Sequence, residues 1–335
     1  MGIGERIKLA RKWSRMSQEA LSQQVQVSKM AISKYERNLD TPSSSVLLHL
    51  SSALNVPVEF FFRPPFIEIN LKTFRKHATL KVKDQLAIEA QVQEWLERYL
   101  EIEGLMEDNK GVPLLPNYPV KDIEDIEEAA LKLRKEWNLG SDAIENLMEL
   151  LEDKGIKVGL VENFEKFDAC TFVFDGDKII VTRKGLEGDR QRFNLAHELG
   201  HLVLLISGDI NEEKSANRFA GAFLVPAITA RRELGEKRTN LDVSELYLLK
   251  HKYGLSMQAW IYRARDLAII DQTTFNQLFR QFSVQGWRKN EPGKPIQHET
   301  PRRIDRLIYR AISEEYISRS RAEELLGAKL DKAWG

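Results

Sequence analysis

Residues 194–226, NLAHELGHLVLLISGDINEEKSANRFAGAFLVP, decide how the rest of the chain is read. The run His197-Glu198-Leu199-Gly200-His201 is flanked by Leu195, Ala196 and Leu202 to Leu205, a pattern that predicts an apolar, buried helix. Two imidazoles four residues apart stand on one face of such a helix, near enough to share a metal ion. Zinc accepts that geometry. A catalytic zinc takes three protein donors and keeps one position open for water, so a third donor must come from elsewhere in the chain.

Glu213 is the candidate. The stretch Glu213-Lys214-Ser215-Ala216-Asn217-Arg218-Phe219-Ala220 reads as a second helix with Glu213 and Asn217 on one face. Asn217 is then placed to orient a metal-binding side chain. Glu212 is a rival donor one residue away, its side chain turned by about 100° from the Glu213 face. Glu198, beside His197 but not a ligand, is the natural general base for water attacking a carbonyl. With six histidines in 335 residues, composition alone places such a motif in roughly one chain in a hundred. The bland alternative, two buried histidines satisfied by hydrogen bonds, loses ground to the acidic helix downstream.

Arg190-Gln191-Arg192-Phe193-Asn194-Leu195-Ala196, the motif itself, and Glu213-x-x-Ala216-Asn217-x-Phe219-Ala220 running to Pro226 resemble the ImmA/IrrE family of bacterial metallopeptidases. The lead-in from Ile126 through Trp137 to Leu139, the stretch Leu147 to Val158, and Tyr253-Gly254-Leu255-Ser256 with Ile261-Tyr262-Arg263-Ala264 extend the likeness over residues 122–335. Ser215 departs from it, since relatives often carry an acid there. The resemblance implies a zincin-like core, zinc held by His197, His201 and Glu213, and cleavage of transcriptional repressors or antitoxins under stress or mobile-element signals.

The chain is long enough for two or three domains. Its formal charge is zero, yet residues 1–64 hold nine Lys/Arg against five Asp/Glu. A single cysteine, Cys170, excludes an internal disulfide framework and fits a reducing compartment. No apolar run approaches membrane length, and MGIGERIKLARKW reads as a charged amphipathic helix without a cleavage-type core. A cytoplasmic protein is expected.

The first 64 residues read as five short helices, with Ser17 and Ser28 as caps, Pro42-Ser43 opening the fourth and a last turn near Pro57. Gln18-x-x-Leu21-Ser22 and Ser28-x-x-Ala31-Ile32-Ser33-x-x-Glu36 make residues 5–60 resemble the phage-repressor (Xre-like) helix-turn-helix domain. In the third helix Ala31, Ile32 and Tyr35 supply the packed side. The resemblance puts base reading on Lys29, Met30, Ser33 and Lys34 and phosphate contact on Arg11 and Gln18, with Arg37 a further backbone candidate, all toward a double-stranded operator. Gln26 and Asn38 stand where relatives carry glycine at positive φ.

Pro64-Pro65 and the apolar residues up to Leu71 read as an extended crossover. Lys81 to Met106 reads as one long helix: a spacer, a homodimer seam or ordinary core packing. Pro113, Pro116 and Pro119 mark a second boundary. Two helices over Ile123 to Asp153 lead to three strands, Ile156 to Val161, Thr171 to Phe174 and Lys178 to Thr182, the last two joined by a turn at Asp175-Gly176-Asp177. A free edge of that sheet could take a substrate segment as an extra strand. Cys170 at its margin reads as a packing residue. Helices resume after Pro226; Arg288 to Pro301 reads as a loop or exposed linker, and two helices close the chain over Arg303 to Leu330. Trp260, Trp287 and Tyr262 read as core aromatics, His251 and His298 as surface residues, and Arg302, Arg303 and Arg306 as a solvated helix start.

The expected fold is mainly α with a small sheet (α+β). Its expected divisions are a helix-turn-helix domain over 1–64, a linker and long helix over 65–119, a zincin-like domain over 120–235 and a helical region over 236–335. Two functions follow: a DNA-tethered zinc endopeptidase, or a transcriptional regulator whose metal domain binds a partner without turnover.

Overall fold

A computed structural model describes residues 2–63, 80–107 and 114–330. The chain packs as two compact units, residues 1–110 with 161–167 and 304–335, and residues 111–160 with 168–303. Helices dominate both and the strands are short, giving the expected α+β layout. No helix among the described residues is long and apolar enough to cross a membrane.

In the first unit α1 (Ile3–Trp13), α2 (Gln18–Val25), α3 (Lys29–Glu36) and α4 (Ser44–Leu54) are followed by a 3-10 turn over Val58–Phe62. Serine starts three of these helices as expected. The Ser17, Ser28 and Ser43 hydroxyls accept the N–H groups of Ala20, Ala31 and Val46 at 3.0, 3.1 and 3.4 Å, each satisfying a donor that the first turn leaves unpaired. Ile7, Ala10, Leu21, Val25, Ile32, Leu50 and Phe60 close the core between them. Gln26 (φ 57°) and Asn38 (φ 55°) do adopt the left-handed conformation.

The long helix α5 (Val82–Leu105) buries Ala87, Ile88, Val92, Leu96, Tyr99 and Ile102. It packs on α1 and on α15 (Arg319–Leu326), and Ile102 joins Leu307, Ile308, Ala311 and Leu325 of the terminal helices α14 (Arg303–Ser313) and α15 in one cluster. Its apolar stripe is therefore covered within the chain, which decides for core packing over a dimer seam. Arg6 of α1 donates to Glu97 of α5 at 2.5 Å with both side chains buried. Residues 161–167 complete this unit: Glu162 exchanges hydrogen bonds with Gln91, and the Arg15 guanidinium donates to the Asn163 carbonyl and lies 4.2 Å from the Phe164 ring centre.

The second unit runs β1 (Tyr118–Val120), α6 (Ile123–Glu136), α7 (Leu147–Asp153), β2 (Lys157–Val161), β3 (Ala169–Phe174), β4 (Asp177–Arg183), α8 (Gly188–Val203), β5 (Leu204–Ile206) and α9 (Glu212–Leu224). Four helices follow: α10 (Ala227–Leu234), α11 (Val243–Tyr253), α12 (Met257–Asp266) and α13 (Gln272–Val284). Three strands form a sheet in the order β2-β4-β3, and β3 and β4 pair antiparallel with Phe174 opposite Asp177. Asp175 and Gly176, both at positive φ, make the two-residue turn, which matches strand twist.

Several expectations need correction. The apolar helix stops at Val203, and Leu204–Ile206 instead pairs in parallel with Tyr118–Val120. Apolar side chains at consecutive positions suit either state, and a partner strand decides. Pro119, expected at a boundary, sits inside β1, which an outer strand tolerates because one row of its N–H groups is unused. Leu246, Trp260, Phe275 and Phe282 share one core with Leu195, Leu199 and Phe223. Residues 288–301 form a loop, as one of the two expectations had it, but a pinned one rather than a free linker: Gly188 donates its N–H to the Ile296 carbonyl at 2.9 Å, and Glu291 and Glu299 pair with buried cations. Tyr262 is 43% exposed, a rim residue against Phe275 and Phe279, whereas Trp260 is fully buried. Pro64-Pro65, the stretch to Leu71 and Pro113 lie outside the described residues.

At Gln26 a β-carbon crowds the left-handed backbone. Gln26→Gly should stabilise the first unit by up to about 1 kcal/mol, read as a raised urea midpoint.

Candidate functional site

α8 and α9 cross at small residues. A β-carbon on Gly200 would lie 3.1 Å from Phe219 Cδ1 and 3.3 Å from the Ala216 Cα, so a side chain there would push α9 off α8. This close approach brings Glu213, on the first turn of α9, to the histidine face of α8. His197 Nε2 and His201 Nε2 are 3.1 Å apart, and Glu213 reaches them with Oε2 at 3.3 Å and Oε1 at 3.6 Å. Among the described residues these three form the one group of His, Cys, Asp or Glu able to hold a metal ion, all donor atoms lying within 4.8 Å. Glu212 is not part of it.

His197 Nδ1 lies 3.0 Å from Asn217 Oδ1. A carboxamide oxygen only accepts, so Nδ1 carries the proton and the Nε2 lone pair faces the centre, the tautomer a metal ligand needs. The donor set of two imidazoles and a carboxylate suits a divalent transition metal.

Glu198 is 8% exposed. Burial, with the negative charge of Glu213 added, pushes its carboxyl up to about 8. A cation in the centre would oppose that rise by favouring the ionised form. Cys170, buried on β3, has its thiol pushed up by burial and by the charge of Glu198; it has no free access and packs as expected.

The DNA-reading candidates fall into two groups. Lys29, Met30, Lys34 and Arg37 are exposed on or just after α3, and Ser33 is half-buried between them. Lys29 Nζ lies 3.6 Å from Glu19 with both side chains exposed, a weak tie in water. Arg37 donates to the Ser33 carbonyl at 3.0 Å.

Arg11 and Gln18 are both half-buried and engaged within the bundle. The Arg11 guanidinium grips the buried carboxylate of Glu36 at 2.5 and 2.9 Å and donates to the Met16 carbonyl at 2.8 Å, while Gln18 Nε2 donates to the same carboxylate at 2.8 Å. Together they tie α1, α2 and α3 around one acid. Glu36 is the residue that sequence reasoning passed over. The signal was an acid on the buried face of α3, one turn after Ile32, which a core tolerates only when paired.

Residues 7–61 match the family model described as helix-turn-helix, and residues 151–265 match that described as the IrrE N-terminal-like domain, a peptidase family. The chain thus carries a helix-turn-helix domain joined to an IrrE-like domain. Over 60 residues, 18% of its length, it is 42% identical to an HTH-type transcriptional regulator of Sinorhizobium medicae and to one of Rhizobium meliloti. It is 37% identical over 60 residues to a transcriptional regulator in the ATPase CF(0) region of Rhodospirillum rubrum. These matches span 43%, 43% and 56% of the relatives' own lengths.

Replacing Glu36 by Ala strands the Arg11 charge inside the bundle. The variant should lose about 3 kcal/mol of stability in the first unit, and a paired Arg11→Met, Glu36→Leu variant should recover most of it in thermal unfolding.

Proposed function

We propose that the chain is a DNA-binding zinc endopeptidase that hydrolyses a peptide bond in a partner protein, a repressor or an antitoxin, in the cytoplasm. The observation that carries this reading is the convergence of His197, His201 and Glu213 beside buried Glu198, on a chain that also holds a helix-turn-helix domain.

His197, His201 and Glu213 would hold the ion, with Asn217 fixing the His197 ring. Bound there, zinc would supply positive charge to polarise the scissile carbonyl and acidify water. Glu198 accepts the proton of the attacking water and returns it to the leaving amine nitrogen. Its place next to His197 in the sequence puts it beside the donors, where one carboxylate can serve both transfers. β3 is an outer strand of its sheet, lies against α8 and leaves Val173 53% exposed. An extended substrate segment added along β3 would have its backbone held by ladder hydrogen bonds.

At the other end, α3 enters the major groove. Lys29, Met30, Ser33 and Lys34 read base edges and Arg37 meets the backbone. Arg11 and Gln18 act behind them by fixing the angle of α3 through Glu36. The peptidase would then work where its partner is bound.

The second reading is a regulator whose metal domain binds its partner without turnover, favoured by the names of the curated relatives, which are transcriptional regulators. Glu198→Gln separates the two. On the enzyme reading it keeps metal and DNA binding while cleavage of the regulated partner falls at least about 100-fold; unchanged regulation in cells carrying it supports the binding reading.

For the DNA face, Lys29→Ala with Ser33→Ala should weaken operator binding by about 1 to 3 kcal/mol per lost base contact, with metal content unchanged. Equal affinity of the double variant for every operator tested counts against the groove assignment.

A further inference from the structure

The first two turns of α8 are held by a segment far along the chain. Glu299, its side chain 10% exposed, pairs with Arg192 and accepts the Met148 N–H at 2.8 Å. Its backbone is hydrogen-bonded to Gln191 in both directions, N–H to Oε1 at 2.7 Å and carbonyl to Nε2 at 3.2 Å. Arg192 passes the grip on, donating to the Ile144 carbonyl at 2.5 Å.

Eight residues earlier Glu291 makes a second anchor. Its carboxylate lies 3.0 Å from Lys250 Nζ, which is 2.9 Å from Asp189 of α8, and it also accepts the Met257 and Gln258 N–H groups at the start of α12. Between the anchors the backbone rests on Gly188, where a β-carbon would lie 2.3 Å from the Gln297 carbonyl. Gly188, Asp189, Gln191 and Arg192 are thus each engaged, directly or through Lys250, by residues 291–299.

We propose that residues 288–302 form a positioning strap for α8, with Glu291 and Glu299 its positioning residues, and that the strap keeps His197 and His201 in register with Glu213. The proposal rests on the metal reading of that cluster. A helix is stiff along its axis, and His197 stands about 9 Å beyond Gln191 at 1.5 Å per residue. A slide or rotation at the start of α8 is therefore delivered almost whole to the imidazoles. Metal donors tolerate errors of only about 0.2 Å. Arg192 and Lys250, buried cations, would reorganise their surroundings if their carboxylates were lost. The strap lies beyond residues 151–265, the stretch matched to the IrrE-like domain.

The test uses the full-length protein, Co2+ titration followed by its visible absorption, and Zn2+ affinity by chelator competition. Glu299→Ala and Glu291→Ala should each weaken both ions about tenfold or more and alter the Co2+ spectrum. Glu299→Gln, which keeps the backbone bonds to Gln191, should fall between these and the parent. Leu278→Ala, a core truncation on α13, controls for general loss of stability and should leave affinity within about twofold. Circular dichroism confirms that each variant is folded; where an alanine variant is not, Glu299→Gln decides. Parent-like affinity in the strap variants, or equal loss in Leu278→Ala, overturns the strap's role while leaving the metal centre standing. Failure of the parent protein to bind either ion overturns the metal reading and the strap with it.

Discussion

Where α8 crosses α9, small residues replace large ones, and the interval between the two helices becomes the interval between the histidine pair and Glu213. Gly200 faces Ala216 and Phe219 at distances where a methyl group would force them back by a few tenths of an ångström. The requirement is unforgiving because metal donors must converge to within tenths of an ångström, whereas ordinary core packing tolerates repacking of a methylene. Behind the crossing, Phe219 and Phe223 stack with ring centres 5.6 Å apart and Arg134 and Arg263 donate to carbonyls at the end of α9, so this helix is fixed at its far end as well. The Glu198 carboxyl is raised because the same packing keeps water away from it.

Carboxylates sunk among cations recur as the organising element of both units. Glu36 collects Arg11 and Gln18, Glu97 meets Arg6, Glu127 binds Arg218 and Arg263, and Glu299 binds Arg192. Such pairs add little net stability compared with a well-packed apolar core, yet they punish every arrangement that leaves one partner alone. Here that penalty acts on the orientation of helices: α3 against α1 and α2, α9 against α6 and α12. Helices that present side chains to a ligand gain most from it, because an apolar face permits small sliding and a buried ion pair does not.

Much of this was legible from residues alone. The helix-turn-helix elements announce themselves through the Ser17, Ser28 and Ser43 caps and through Gln26 and Asn38 at their turns. The hairpin is visible in Asp175-Gly176, and the metal cluster in the spacing of His197, His201 and Glu213. What stayed hidden depends on partners distant in sequence. Leu204 to Ile206 could continue a helix or become a strand, and only Tyr118 to Val120 decides. Arg11 looks like a phosphate ligand until Glu36 is found beside it, 25 residues later. Residues 288–301 look like a linker because prolines and glycine forbid regular structure, a signal that says nothing about whether the backbone is pinned. The anchors are single acids outside any helix or strand, so no periodicity marks them as buried.

The polypeptide crosses from one unit to the other at residues 110/111, 160/161, 167/168 and 303/304. A gene fragment cut at any single junction would therefore carry off an incomplete body: the amino-terminal helices without α14 and α15, or residues 168–303 without residues 111–160. Such interleaving makes the pair hard to exchange by one recombination event. Neither unit can be lifted out of the chain whole by one cut.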